Sequence, residues 1–160
     1  MTNVDVVKGF FSSYSNHDWA GMGACLDPQV EFQDLAFKNL AGDDVRAMWR
    51  WYCQPTETRK EPIQVPGFEI FRIDGDQVAA EYWVRYLLGG KHLVNYVIHS
   101  ELTLQNGKIV RQIDRPVISN FEFARMAMGV AGCLLALTPA FRPVIRTAMR
   151  RKLNEFKTGQ

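Results

Sequence analysis

The chain of 160 residues is the length of a single domain and can bury a core without metals or disulfide staples. Its 47% hydrophobic and 22% charged residues exclude a disordered chain, and its net charge of +2 does not mark the whole as a polyanion binder. That charge is unevenly placed: residues 1–116 hold 12 basic against 15 acidic side chains, residues 117–160 hold 7 against 2, so the basic character belongs to the tail.

Cys25, Cys53 and Cys133 form neither a close pair nor a disulfide framework, and the three histidines are not grouped with them at ligand spacing. Buried small hydrophobes, no metal and a reducing cytoplasm are expected. The first residues lack a signal-peptide pattern, and the longest apolar run, Met126 to Leu137, is too short to span a bilayer. Ten Phe, five Tyr and four Trp are more aromatic area than a core this small needs, which points to a ligand pocket or an interface.

In chain order, Val6, Val7, Phe10, Phe11 and Tyr14 recur at helical spacing over residues 3–16. Asp18 is placed to cap a short helix from Trp19 to Leu26, which Asp27-Pro28 ends. Val30 to Asp34 alternates as a strand with Val30, Phe32 and Asp34 on one face. Asp43 or Asp44 can cap a third helix carrying Val45, Met48, Trp49 and Tyr52. Residues 54–66, with three prolines, read as loop. Four strands follow, joined at Asp74-Gly75-Asp76, Gly89-Gly90 and Asn106-Gly107, an antiparallel meander that ends near Asp114. Beyond Pro116 the pattern is helical, first from about Asn120 to Met128, or to Leu137 if Gly129 and Gly132 do not interrupt it. A second helix is expected from Thr138, kinked or delayed by Pro143, with Arg142, Arg146, Arg150, Arg151 and Lys152 mainly off its apolar stripe.

The chemistry-bearing candidates are few. Asp34 shares a face with apolar residues, where desolvation raises a carboxyl pKa toward that of a general base; capping of the following loop is the alternative role. His99 lies in phase with Asn95, Val97, Glu101 and Thr103, a mixed face read as pocket or interface lining. The opposite phase, Tyr96, Ile98, Ser100, Leu102 and Leu104, reads as the face packed on helices. Asp114 closes the last strand, where an Asp114–His99 pair on one wall would form an acid–base unit and an ion pair with Arg111 or Arg115 would not. Trp49-Arg50-Trp51-Tyr52 cannot all point inward on a helix. No phosphate loop, dinucleotide fingerprint, zinc-protease or nucleophile-elbow motif occurs, so no cofactor is expected.

This order of elements resembles the NTF2-like superfamily over about residues 4–116, in particular the ketosteroid isomerases and SnoaL-like polyketide cyclases. The pieces that carry the likeness are Asn16-His17-Asp18-Trp19, Val30 to Asp34, Gly42-Asp43-Asp44-Val45 and Asn106 to Arg111. The resemblance implies an α+β cone: a curved antiparallel sheet packed against N-terminal helices, here residues 1–116, with a helical extension over 117–160 packed on the domain or at a dimer interface. It implies a homodimer and a small hydrophobic ligand, with Phe10, Tyr14, Trp49, Tyr52, Tyr82, Trp83 and Tyr86 as candidate substrate-binding residues. By resemblance to the isomerases, Asp34 takes the place of the proton-moving carboxylate and His99 falls near an oxyanion donor. Phe10 stands where those enzymes keep a tyrosine, and a phenyl ring cannot donate to an enolate. By resemblance to the cyclases, His99 and Asp114 match their histidine–aspartate pair. Epoxide-hydrolase-like members use an Asp–Arg–Asp set, for which Arg85 or Arg111 are candidates. Catalytic Asp34, His99 and Asp114 in an isomerase or cyclase-like enzyme are therefore expected, with a non-catalytic binding or assembly protein as the competing reading. For the basic tail, covering the pocket mouth is preferred over contact with an acidic membrane surface, and nucleic acid is not expected as a partner.

Overall fold

The computed structural model describes residues 2–159. Helix α1 (Asn3–Ser15) starts in a capping box, in which the Thr2 hydroxyl accepts from the Asp5 N–H and the Asp5 carboxylate accepts from the Thr2 N–H. Its stripe Val6, Val7, Phe10, Phe11 and Tyr14 is entirely buried, each large side chain contributing about 1.5–3 kcal/mol of burial. Asp18 caps α2 (Trp19–Cys25) by accepting from the Gly21 N–H, as its position suggested.

Strands β1 (Leu26–Gln33), β2 (Leu40–Ala41), β3 (Phe68–Asp74), β4 (Gln77–Leu88), β5 (His92–Gln105) and β6 (Lys108–Pro116) form one sheet in the order β2-β1-β6-β5-β4-β3. The last four are the expected antiparallel meander. The sheet is not antiparallel throughout, because β1 lies parallel to β6, with Phe32 beside Gln112 and Gln33 beside Ile113. A parallel neighbour requires a long crossover, here everything between β1 and β6.

Helix α3 (Asp43–Tyr52) is not capped by Asp43 or Asp44. Gly42 takes the cap at φ +54°, ψ −121°, a conformation that an L side chain resists. Asp44 is thereby free to bind Arg150 (2.8 Å) and Lys157 of the C-terminal helix. At the other end of α3 the buried Arg59 guanidinium donates to the carbonyl oxygens of Trp51 (2.7 Å), Gln54 (2.8 Å) and Glu61 (3.0 Å). A cation at a helix C-terminus meets the negative end of its dipole, and this one pins the proline-rich loop.

The extension consists of α4 (Asn120–Ala136) and α5 (Phe141–Thr158). Helix α4 runs along β5, with Phe123 edge-on to Tyr96 at 5.7 Å. It breaks at Gly129 (φ +65°, ψ −148°), a region essentially reserved for glycine. Past that kink, a Cβ on Gly132 would stand 2.5 Å from the Ala124 carbonyl oxygen, so the second half of α4 doubles back closely on the first. Gly129→Ala should therefore destabilise the protein by about 1–3 kcal/mol, read as a lower urea midpoint; an unchanged midpoint would show that the kink carries no strain.

Helix α5 begins at Phe141 rather than at Thr138, whose hydroxyl donates to the Leu135 carbonyl instead of capping. Pro143 thus falls in the first turn, where no intrahelical N–H is lost and no kink results. Leu153 is fully buried, Met149 and Phe156 pack on the core, and Phe156 lies over Trp51 at 6.5 Å. This cover lets Trp49 and Trp51 both be buried on one helix, while Arg50 turns outward over the Trp19 ring. No helix among the described residues is long and apolar enough to cross a membrane.

Candidate functional site

The concave face of the sheet is set by alternation. Tyr82, Val84 and Tyr86 of β4 share it with Tyr96, Ile98, Ser100 and Leu102 of β5 and with Gln112 and Asp114 of β6. In a cone the helices and the ligand space share that one face. The expectation that β5 turns one face to the helices and the other to the pocket is therefore corrected: Tyr96, Ile98 and Ser100 line the interior and His99 does not.

His99 lies on the convex face between Glu81 and Arg115, its neighbours in register. Its Nδ1 is 3.6 Å from Glu81 Oε1 and its ring rests on Phe71 at 5.1 Å. Asp114 pairs instead with Ser100, pointing to the opposite side. The sheet thus separates His99 from Asp114, and the anticipated histidine–aspartate wall is not formed. Trp83, expected in the pocket, is also on the convex face, exposed and packed along Gly67. Arg85 and Arg111 are exposed too, so neither stands with the interior carboxylates. The ion pair foreseen for Asp114 does not form either: Arg111 lies 3.8 Å from Glu31 and Arg115 2.7 Å from Glu101.

What the fold brings together is Asp34 and Asp114. The parallel register of β1 on β6 ends at Gln33 beside Ile113, and an aspartate follows each of them, Asp34 just beyond β1 and Asp114 within β6. Phe32 and Gln112, one alternation earlier, are both buried, which fixes the face as the interior.

Asp114 is buried and held by three neighbours. The Tyr82 hydroxyl donates to its Oδ2 (2.6 Å), the Gln112 amide donates to its Oδ1 (3.0 Å), and the Ser100 hydroxyl stands across the strand pair. Burial nevertheless dominates and lifts its pKa to about 6, the hydrogen bonds working against the shift. The Gln112 Oε1 has no protein partner among the described residues.

Asp34 follows β1 and opens a tight turn, its Oδ1 accepting from the Phe37 N–H at 2.5 Å and its own N–H donating to the Phe37 carbonyl. It therefore does cap the following loop, and it does more. Desolvation, reinforced by the Asp114 charge, raises its pKa to about 7. The charge of Asp34 in turn acts on Tyr52, Tyr86 and Tyr96, whose hydroxyls burial pushes upward. Asp34 and these three tyrosines each keep some open surface although loss of water is the largest influence on all four. Groups with both properties line an interior space rather than the outside of the molecule.

Phe10, Tyr14, Trp49 and Tyr82 form the aromatic floor beneath: Phe10 and Tyr14 meet Trp49 edge-on at 5.4 and 5.1 Å, and Tyr14 meets Tyr82 at 6.1 Å. All four are buried in the core, and the Trp49 Nε1–H has no protein partner among the described residues. Two surface hollows lie elsewhere, one of about 350 Å³ along α5 at Pro143, Val144 and Arg151, the other of about 180 Å³ at the β1–β2 edge. Neither includes Asp34 or Asp114.

Chemically, two carboxyl groups sharing a desolvated space lose their protons in sequence rather than together. Asp114, at about 6, ionises first, its charge helps hold the proton on Asp34 until about 7, and the surrounding phenols stay protonated as hydrogen-bond donors. Tyr96, Ser100 and Gln112 were missed as site residues. Their common phase with Asp114 across β5 and β6 was the signal available.

Comparison with known proteins agrees with this architecture. None of the curated proteins matches the chain significantly. Among solved structures, a candidate polyketide cyclase from Silicibacter sp. superposes with a TM-score of 0.60 at 22% identity, over 73% of this chain and 90% of that one. An LEH-like epoxide hydrolase from M. tuberculosis gives 0.58 at 19% identity, over 84% and 93%. A protein of unknown function with a cystatin-like fold from Xanthomonas campestris gives 0.67 at 18% identity, over 79% and 99%. At these identities the likeness is one of fold. The model of the SnoaL-like domain matches residues 7–112, from the first helix to the strand that carries Gln112, and so spans most of the chain. With the helix-packed curved sheet found over the same residues, the chain belongs to the SnoaL-like domain family.

Proposed function

We propose that the protein is a cofactor-independent enzyme of isomerase, cyclase or lyase type that moves protons on an apolar, carbonyl-bearing substrate. The observation that carries this reading is the adjacency of Asp34 and Asp114, two interior carboxyl groups raised to about 7 and about 6 within a ring of tyrosines. Ionised Asp34 takes a proton from the carbon beside the carbonyl, and the electron pair moves to the carbonyl oxygen to give an enolate. The phenols of Tyr52, Tyr86 and Tyr96, which burial keeps protonated, donate to that oxygen. Asp34 then returns its proton to the same or another carbon, leaving the enzyme unchanged. Tyr52, Tyr86 and Tyr96 supply the apolar faces that hold the substrate, and the buried Phe10, Tyr14, Trp49 and Tyr82 hold the floor.

The cyclase and epoxide-hydrolase descriptions of proteins with this fold support small-molecule chemistry over a purely structural role. A homodimer through the convex face belongs to the same proposal, since Phe71, Trp83, Leu87 and Leu93 are exposed there.

The test is proton exchange. Incubation of the protein in D2O with a panel of cyclic ketones and 1,3-diketones, followed by NMR, should show enzyme-dependent loss of the α-proton signal for at least one apolar member. A parallel panel of epoxides reports ring opening. Epoxide opening without ketone exchange would replace the proposed reaction by a hydrolytic one, and no turnover on either panel would favour a binding protein.

A further inference from the structure

Arg146 is the one feature of the C-terminal extension that its packing role leaves unexplained. The extension is fixed to the domain at defined points: Phe123 on Tyr96, Phe156 on Trp51, and Asp44 clasping Arg150 and Lys157. On α5, Arg146 precedes Met149 by three residues and Leu153 by seven, which places it on the inward stripe with the residues that pack on the core. This corrects the expectation that the arginines of this helix lie off its apolar face.

Its Nε is buried and makes no hydrogen bond to any protein group among the described residues, and the side chain is in no ion pair. A guanidinium is always charged and carries five donors in a fixed plane, so burying part of it without an acceptor is costly. Arg142, Arg150 and Arg151 on the same helix are exposed, and exposure would have been open to Arg146 had it no role inside. Its charge acts on the interior carboxyl of Asp34, and no salt bridge joins the two.

We propose that Arg146 is a ligand-binding residue delivered by the extension, and that the pocket takes a ligand bearing an acidic oxygen, a carboxylate or an enolic or phenolic oxygen, on an apolar body. The guanidinium supplies the missing positive charge and its planar donors to that oxygen, while the ring of tyrosines encloses the apolar part. The assignment rests on the proposed function only for the location of the site, because it concerns binding and requires no turnover. It also gives the extension a purpose: the cone of residues 1–116 ends in carboxylates and phenols, and the tail brings the cation that selects an anion.

The experiment is equilibrium binding at pH 8 with a matched pair of probes, 2-naphthoate and its neutral methyl ester, followed by titration calorimetry. Wild type should prefer the carboxylate. Arg146→Met should lose about 10- to 100-fold in naphthoate affinity, the range of a charge-assisted hydrogen bond, with the ester unaffected. Arg142→Met, one turn earlier and exposed, should keep the preference. Arg146→Lys, which retains the charge, should keep part of it, and serves as the decisive variant if Arg146→Met fails to give a cooperative melt. Asp34→Asn should bind naphthoate more tightly, since it removes a negative charge from the same space. Equal affinity of wild type for the two probes, binding of neither, or a preference that survives both Arg146 substitutions would overturn the assignment. Absence of proton exchange in wild type alongside an Arg146-dependent preference would remove the acid–base reading and leave this one standing.

Discussion

Asp34→Asn should slow enzyme-dependent α-proton exchange by about 10²- to 10⁴-fold, the range contributed by a positioned general base. The substitution is well suited to the question, because the amide oxygen can still accept from the Phe37 N–H that shapes the turn after β1. Loss of rate would then reflect the missing proton acceptor and not a displaced loop. The wild-type rate should rise with pH through about 7, where Asp34 loses its proton, and that limb should vanish in the variant. A rate that falls through the same range would make Asp34 the acid and Asp114 the base. Tyr82→Phe offers a graded comparison: it removes one donor from Asp114 without touching Asp34, so a smaller loss of roughly tenfold is expected. An Asp34→Asn rate equal to wild type would take Asp34 out of the mechanism.

Asp34 was legible in the sequence because strand alternation is a local property, and Val30, Phe32 and Asp34 announce a carboxylate on a buried face without knowledge of the partner strand. Asp114 was legible for the same reason through Val110 and Gln112. Their adjacency was not. It depends on β1 lying parallel to β6, a pairing across some eighty residues of chain that no local pattern encodes. The error over His99 has a different origin. Strand β5 carries polar and apolar residues in both phases, and assigning helices to one face and the pocket to the other suits a flat sheet between two layers. In a cone both belong to the concave side. Arg146 was hidden by the habit of placing charged helical residues in solvent, although its three-and-seven spacing to Met149 and Leu153 was present throughout. The Gly42 cap and the α5 start at Phe141 were missed because tertiary contacts, Asp44 with α5 and Thr138 with the end of α4, claimed the side chains that local rules assign to caps.

The same Asp34→Asn variant should gain stability over wild type as pH rises from 5 to about 7 and keep that gain at pH 8. The folded-state pKa of Asp34 lies at about 7 against 3.8 in an open chain, and that of Asp114 at about 6 against the same reference. Between about pH 4 and pH 7 the folded protein therefore holds protons that the unfolded chain has released, and stability falls as pH rises. Each unit of such a difference is worth about 1.4 kcal/mol. Because water still reaches part of Asp34, its share is on the order of 2–3 kcal/mol rather than the full product. Asp44 and Glu101 act in the opposite sense, since partners hold their pKa values down. Their contribution is lost only as pH falls toward 4 and below, outside the window in question. Urea denaturation from pH 5 to pH 8 should thus show a declining wild-type midpoint and a flatter one for Asp34→Asn, the gap growing up to about pH 7 and constant above it. Parallel profiles would mean that Asp34 titrates as an ordinary surface carboxylate, and the argument for it as a base poised near neutrality would fail with them. A variant that loses exchange and gains stability above pH 7 would show one cause for both effects: a carboxylate kept in the interior at the expense of the fold, because its elevated pKa is what the chemistry requires.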